Sequence, residues 1–282
     1  MQVEALPSAV RSAVQSHRCG GRRTGLVPTM GALHVGHVSL LDAARSECDF
    51  VIATIFVNPM QFGPHEDFER YPRTLEQDLQ RCEAAGVDLV FTPETSRMYA
   101  PGAESIVSLT GLTRKLEGRH RPGHFDGVTT VVAKLFNITV PDRAYFGQKD
   151  YQQQLIIRRM ASDLDWGVEI VTCPIVREDD GLALSSRNRY LSPAEREKSL
   201  SLSRALSLAQ DLAQSGSESP DSIARRMQQL ISGVEGIDPD YAVVVDCDTL
   251  DPLVDRPKRA VALIAVRIGK TRLIDNQILR FR

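Results

Sequence analysis

Two histidines set three apart, His34 and His37, lie in Pro28-Thr29-Met30-Gly31-Ala32-Leu33-His34-Val35-Gly36-His37, directly after an apolar run. At the start of a helix this spacing puts both rings on one face. Gly31 and Gly36 let the backbone approach a ligand closely. A helix N-terminus adds unpaired N–H donors and the positive end of a dipole, which suit phosphate. Two capping or core histidines are the plain alternative, and the flanking glycines and preceding strand weigh against it. Zinc is not indicated, because the pattern is not H-E-x-x-H and no third ligand is evident. His120 and His124 are four apart, but Pro122 and Gly123 between them make a poor helical metal face; His124 stays a candidate lining residue.

Other segments offer matching chemistry. Lys149-Asp150 provides a point charge for phosphate and a carboxylate for ribose hydroxyls or a metal. Ser185-Ser186-Arg187-Asn188 provides two hydroxyls and a guanidinium in a loop that could close over a triphosphate. Asn58 and Gln61 are uncharged amides, suited to recognising hydroxyls and carboxylates rather than moving protons. The chain has no Walker A loop, no G-x-G-x-x-G and no G-x-S-x-G elbow, so P-loop, standard dinucleotide and serine-hydrolase readings lose support.

These groups need elements to place them. Apolar runs at 24–30, 50–57, 88–92, 143–147 and 168–174 read as strands. Phe50-Val51-Ile52-Ala53-Thr54-Ile55-Phe56-Val57 is β-branched-rich and nearly continuous, as in a strand covered on both faces. Helical patterns at 36–47, 74–85 and 151–164 lie between them, and Thr74 with Gln77 offers a capping box. Alternation of this kind predicts an α/β fold with a doubly wound parallel sheet. In such a sheet ligands bind outside the carboxyl ends of the strands, where the groups above all fall. Beyond about residue 175 the pattern changes. Ser192-Pro193-Ala194-Glu195 starts a long helix, a second helix ends near 232, and strands follow at 241–245, 260–266 and 271–274. Two domains are therefore expected, 1–175 and a smaller α+β domain at 176–282.

Composition bounds the rest. With 42% apolar and 25% charged residues the chain can bury a sizeable core. A formal net charge of −2 argues against a nucleic-acid binder. No apolar run approaches the ~20 residues of a membrane span, and the N-terminus does not read as a secretory signal. Cys19, Cys48, Cys82, Cys173 and Cys247 are odd in number with no C-x-x-C pair, so buried free thiols in a cytoplasmic protein are expected.

The His34 and His37 block resembles the HIGH-type signature of the nucleotidylyltransferase superfamily, and in its extended form the pantothenate synthetase (pantoate–β-alanine ligase) family. Phe56-Val57-Asn58-Pro59-Met60-Gln61-Phe62, Tyr71-Pro72-Arg73-Thr74, Tyr145-Phe146-Gly147-Gln148-Lys149-Asp150-Tyr151-Gln152-Gln153 and Leu184-Ser185-Ser186-Arg187-Asn188-Arg189-Tyr190 match the family's other blocks in order. The resemblance implies a Rossmann-like nucleotide domain, a C-terminal lid domain and a homodimer. It also implies a two-step reaction with ATP as substrate and Mg2+: pantoate is adenylated, and β-alanine then displaces AMP to give pantothenate.

By the same resemblance ATP is held by Met30, Gly31, Ala32, Leu33, His34, Val35, Gly36, His37, Gly147, Gln148, Lys149, Asp150, Val176, Leu184, Ser185, Ser186 and Arg187. His37, His34, Lys149 and Arg187 act catalytically, His37 as proton donor. Gln61, Gln153 and Asn58 bind the acid and amine substrates. Gln77 stands where a second acid can occur, which leaves any protein ligand of magnesium at Asp78 or on waters. Another small-molecule nucleotidylyltransferase of the superfamily is the alternative. A tRNA-charging enzyme would want a basic surface, and a non-catalytic nucleotide sensor would not need all these cations together.

Overall fold

A strand rich in β-branched residues pairs best when both faces are covered, and the first unit is built that way. The computed structural model describes every residue except Cys19, Gly20, His65, Val254 and Arg256. Its elements run β1 Gln2–Glu4, α1 Pro7–Arg18, β2 Thr24–Thr29, α2 Val35–Glu47, β3 Phe50–Ile55, α3 Leu75–Ala84, β4 Leu89–Phe91, α4 Thr95–Met98, α5 Leu116–His120, α6 His124–Thr139, β5 Arg143–Gly147, α7 Tyr151–Asp163 and β6 Glu169–Cys173. The six strands form one sheet in the order β1-β4-β3-β2-β5-β6, every pairing parallel. From β2 the chain winds outward through β3 and β4, then returns to the other side of β2 with β5 and β6. The strand order thus reverses between β2 and β5, which is where a doubly wound sheet opens a crevice.

The expected strands and helices all appear, with ends shifted by a few residues. The Thr74–Gln77 capping box does not form. Thr74 caps no backbone N–H, and its hydroxyl donates to Asp78 Oδ2 at 3.2 Å. Five elements go beyond the expected set: β1 is only three residues long, α1 precedes the first expected strand, α4 and α5 are single short turns, and α6 is buried nearly all round.

The remaining elements are α8 Pro193–Ser215, α9 Pro220–Ser232, β7 Ile237–Val245, β8 Arg259–Ile268 and β9 Thr271–Arg280. β7-β8-β9 is an antiparallel sheet, and α8 and α9 pack against it. Leu202, Leu206, Ile223, Met227, Ile264 and Val266 are among the side chains of this core. The chain divides into two compact units, Met1–Gln148 with Gln152–Pro174, and Lys149–Tyr151 with Ile175–Arg282. The place of the short segment Lys149–Tyr151 in the second unit differs from the expected single boundary. Cys48, Cys82, Cys173 and Cys247 are free and buried, and Cys19 lies outside the described residues. Among the described residues no helix is long and apolar enough to cross a membrane.

The start of α8 is fixed as its sequence demands. Ser192 Oγ accepts the Glu195 N–H at 3.3 Å, and Glu195 Oε2 accepts the Ser192 N–H at 2.8 Å. Ser192→Ala should cost about 1 kcal/mol, the usual loss for an N-cap hydroxyl. Urea unfolding followed in the second unit measures it, and an unchanged midpoint would deny the cap any role.

Candidate active site

The segment after β2 is the first thing at the crevice. Thr29 Oγ1 donates to the Thr54 carbonyl at 2.6 Å and accepts the Gly31 N–H at 3.1 Å, tying the ends of β2 and β3 together. The chain then turns through two residues of positive φ, Gly31 at 82° and Ala32 at 49°. Gly31 can carry no side chain, since a Cβ would lie 3.0 Å from both Asp78 and Ile55. Ala32 is strained in this region and needs an outside hold. Asp78 on α3 supplies it: Oδ2 accepts the Ala32 N–H at 2.9 Å and Oδ1 accepts the Leu33 N–H at 2.8 Å. One turn along α3, Arg81 donates to the Leu33 carbonyl. The Ala32 and Leu33 N–H groups and the Leu33 carbonyl are therefore all met from one helix.

This loop aims α2. His34 is its N-cap residue, and the His34 N–H donates to His37 Nδ1 at 3.2 Å. The two rings stand 4.0 Å apart, tilted by 38°. Because Nδ1 of His37 accepts, its neutral ring carries the proton on Nε2. The capping reading of the pair is met by Nδ1 of His37, which leaves Nε2 as a donor. Met30 is half-buried and Val35 exposed beside them.

After β3 the chain makes a 3₁₀ turn, Pro59–Gln61. Gln61 Nε2 donates to Met30 Sδ at 2.8 Å, which joins this turn to the histidine loop. Asn58 is 1% exposed, and its amide is wholly committed. Its Nδ2 donates to Gln61 Oε1 at 3.2 Å and to the Gly127 carbonyl at 3.0 Å. Its Oδ1 accepts from Tyr99 Oη at 2.8 Å and the Met60 N–H at 3.2 Å. Asn58 therefore positions Gln61 from beneath, a correction to its expected place among the substrate contacts.

His124, on the first turn of α6, reaches the Gln61 carbonyl with Nδ1 at 2.7 Å and Arg121 Nη1 with Nε2 at 3.0 Å. Arg121 in turn holds Glu66 through two bonds of 2.6 Å. Burial first, and then the Arg121 charge, push the His124 pKa down to about 4. Burial works against ionisation of Glu66 too, but the Arg121 hydrogen bond and charge hold its carboxyl below the usual range. His120 and His124 lie on different helices, separated by Gly123 at φ 80°. Glu66, Arg121 and Tyr99 escaped the sequence reading, since single polar residues in irregular chain carry no periodic signal.

Gly147 and Gln148 end β5, the neighbour of β2 in the sheet, at the same carboxyl edge. In α7 the amides of Gln152 and Gln154 are buried and bonded, Gln152 to the Glu117 N–H and the Leu112 and Lys115 carbonyls, Gln154 to Thr172. Gln153 stands between them, half-buried.

The other expected residues belong to the second unit. The Lys149 carbonyl accepts from Asn276 Nδ2 at 2.9 Å, and its Nζ lies 3.9 Å from Asp150 Oδ1. Val176 and Leu184 close a hairpin through the Leu184 N–H and Val176 carbonyl at 3.0 Å. Arg177 anchors it with two bonds to the buried Asp275, at 2.7 and 3.0 Å. Ser185 caps the following 3₁₀ turn, Ser186–Tyr190, by accepting the Arg187 N–H at 3.3 Å. Asn188 ties this turn to Glu178 at 2.8 Å and to the Ala183 carbonyl at 3.0 Å. Arg196 bridges Glu178 and Asp180. The Arg196 hydrogen bond lowers the Glu178 pKa, and that of Asp180 falls too, where burial opposes the Leu182 N–H and Arg196.

Asp78 does not fit its expectation as a metal ligand. It is fully buried, and both oxygens serve the loop after β2. Among the described residues no cluster of three His, Cys, Asp or Glu side chains could cage a metal.

A six-stranded parallel sheet whose order reverses beside a histidine-capped helix defines an α/β enzyme of the nucleotide-binding class. Comparison narrows the class. The model of the family "Pantoate-beta-alanine ligase" matches residues 2–278. A pantothenate synthetase of Moorella thermoacetica is 54% identical over 272 residues, 96% of each chain. One of Acetivibrio thermocellus is 49% identical over 99% of each. The crystal structure of pantothenate synthetase from Thermus thermophilus superposes with a TM-score of 0.93 at 46% identity, covering 98% of this chain and 99% of that one. A pantoate-β-alanine ligase from Francisella tularensis, solved with a β,γ-ATP compound and β-alanine, gives 0.81 at 34% identity over 99% and 97%. The chain belongs to the pantoate–β-alanine ligase family.

Two measurements test the site's framework. Asp78→Asn replaces one acceptor by a donor facing a backbone N–H, and should cost about 1.5–3 kcal/mol. The expected result is a lower Tm and a raised KM for ATP that excess magnesium does not restore; restoration by magnesium would return Asp78 to the metal. For His124, the unfolded ring titrates near 6.5. Between there and about 4 the unfolded chain binds a proton that the folded chain refuses. Stability should therefore fall as pH drops through this window, by at most about 1.4 kcal/mol per pH unit. Denaturant titrations of the protein and of His124→Asn should differ in this slope, and equal slopes would show His124 titrating normally.

Proposed function

We propose that this chain condenses pantoate with β-alanine, using ATP, through a pantoyl-adenylate. One observation carries the reading: the family match spans residues 2–278, on a parallel sheet whose order reverses between β2 and β5. In the first step a carboxylate oxygen of pantoate attacks the α-phosphorus of ATP. The bond from that phosphorus to the bridging oxygen breaks, and pyrophosphate leaves. In the second step the β-alanine nitrogen attacks the acyl carbon, the bond to AMP breaks, and the nitrogen loses a proton as the amide forms.

No side chain has to form a covalent bond in this scheme. The work is orientation and stabilisation of phosphate charge, which preorganised donors supply. His37, with its proton on Nε2, and His34 donate to phosphate; Lys149 and Arg187 bring the positive charge. Residues 30–37, 147–150, 176 and 184–187 contact ATP, while Gln61 and Gln153 take the hydroxyls and carboxylates of pantoate and β-alanine. Amides that bond a substrate hydroxyl reject analogues lacking it far better than apolar walls do. Magnesium would accompany the triphosphate, bound by phosphate oxygens and water as is usual for this ion. The described residues offer it no protein cage. A lid role for the C-terminal part, a homodimer and a cytoplasmic location complete the proposal.

Exchange of labelled pyrophosphate into ATP should require pantoate alone, and AMP formation should require β-alanine as well. Exchange with another acid would keep the adenylation and replace the substrate. His37→Ala and Lys149→Ala should each lower the exchange rate by roughly 10²–10³-fold, the scale for losing one charge-stabilising donor. Near-normal rates in either variant would remove that residue from its role.

A further inference from the structure

One titratable cluster of the first unit, a buried His124 with part-buried Arg121 and Glu66, is not used by the reaction above. Its hydrogen bonds determine one another. The Gln61 carbonyl can only accept, so His124 Nδ1, at 2.7 Å, must carry a proton. The Arg121 guanidinium can only donate, so His124 Nε2, at 3.0 Å, must be bare. A neutral ring in the Nδ1–H tautomer meets both demands, and an imidazolium would meet only one. Glu66 locks the guanidinium from behind with two bonds of 2.6 Å, the bidentate geometry that fixes direction as well as charge. Arg121 Nη2 also approaches the Gln61 carbonyl, at 3.4 Å. Glu117 is the other charged group whose field reaches the ring.

The opposite side of Gln61 is held as firmly. Asn58 bonds its side-chain oxygen and, with the other amide hydrogen, the Gly127 carbonyl. Gly127 lets α6 come this close, because a Cβ there would sit 2.3 Å from the Met60 carbonyl and 2.6 Å from the Gln61 nitrogen. With its backbone carbonyl and side-chain oxygen both pinned, and one Nε2 hydrogen given to Met30 Sδ at 2.8 Å, Gln61 has the other Nε2 hydrogen left to direct.

We infer that Glu66, Arg121 and His124 are a positioning relay, which fixes the backbone of Gln61 and so aims its Nε2 at the acid substrate. The inference rests on the reading of Gln61 as a substrate-binding residue. Loss of the relay should weaken the hold on pantoate and leave ATP binding alone.

The test compares His124→Leu, His124→Asn, Glu66→Gln and Gln61→Ala in pyrophosphate exchange, with KM measured separately for pantoate and ATP. His124→Leu should raise the pantoate KM about tenfold, the scale of one lost hydrogen bond with a buried acceptor left unpaired, and change the ATP KM by less than about twofold. His124→Asn places an amide N–H near the former Nδ1 and should recover most of the loss; Glu66→Gln should fall between. Nitrogen-15 spectra of the histidine rings give an independent readout, which needs no variant to fold. They should show His124 neutral and Nδ1-protonated from about pH 5.5 to 8. An Nε2–H tautomer, or a ring that titrates in that range, overturns the relay. So does an unchanged pantoate KM in His124→Leu while Gln61→Ala raises it. If Gln61→Ala itself leaves the pantoate KM unchanged, the assignment of Gln61 fails instead, and the ring spectra still decide whether the relay exists.

Discussion

The loop between β2 and α2 must reverse direction within three residues while buried, and the Asp78 carboxylate makes that geometry stable. Positive φ at Gly31 and Ala32 turns the N–H groups of Ala32 and Leu33 away from any strand or helix partner. Buried N–H groups without acceptors are costly, and a carboxylate that takes two of them is strongly held in return. With the loop set, α2 starts at His34 directly after β2, one of the two strands between which the order reverses.

A second regularity runs through both units. Four segments expected to touch substrate are each backed by a buried amide. Asn58 lies under Gln61, Gln152 beside Gln153, Asn188 behind residues 185–187, and Asn276 on the carbonyl of Lys149. All four are at most 9% exposed. An amide carries donors and an acceptor without charge, so it can satisfy irregular backbone in a low-dielectric place without burying an ion. The charged partners, Asp78 and Arg177 with Asp275, sit where two backbone donors or a guanidinium call for them.

Much of this is legible in the sequence, for physical reasons. β3 is readable because a parallel strand covered on both faces is written as an unbroken β-branched run, and α8 because Ser192, Pro193 and Glu195 state its start in local chemistry. The residues named for phosphate fall after strands, as the topology requires. What stays hidden needs tertiary information. α6 is buried on nearly every side, and its threonines with Asp126, Lys134 and Asn137 interrupt the apolar pattern that would mark it. Residue type alone suggests Asn58 and Asp78 as contacts for substrate and metal; burial gives both to the scaffold instead. The Glu66–Arg121 pair spans 55 positions and has no local signature at all.

The path of the chain has a consequence for modularity. It passes from one unit to the other at 148–149, returns at 151–152, and leaves finally at 174–175. Lys149–Tyr151 is therefore a loaned piece: Tyr151 Oη bonds the Cys247 carbonyl at 2.9 Å, and Asn276 bonds the carbonyl of Lys149. The two units are topologically threaded and cannot be parted by a single cut. A gene fragment that begins at Ile175 would inherit the β7-β8-β9 sheet but not the tyrosine bonded to the chain just past β7. Swapping the C-terminal part between relatives would set one parent's Tyr151 against the other's carbonyl at 247, and one parent's Asn276 against the other's carbonyl at 149, so two side chains, rather than the junction, limit which chimeras fold.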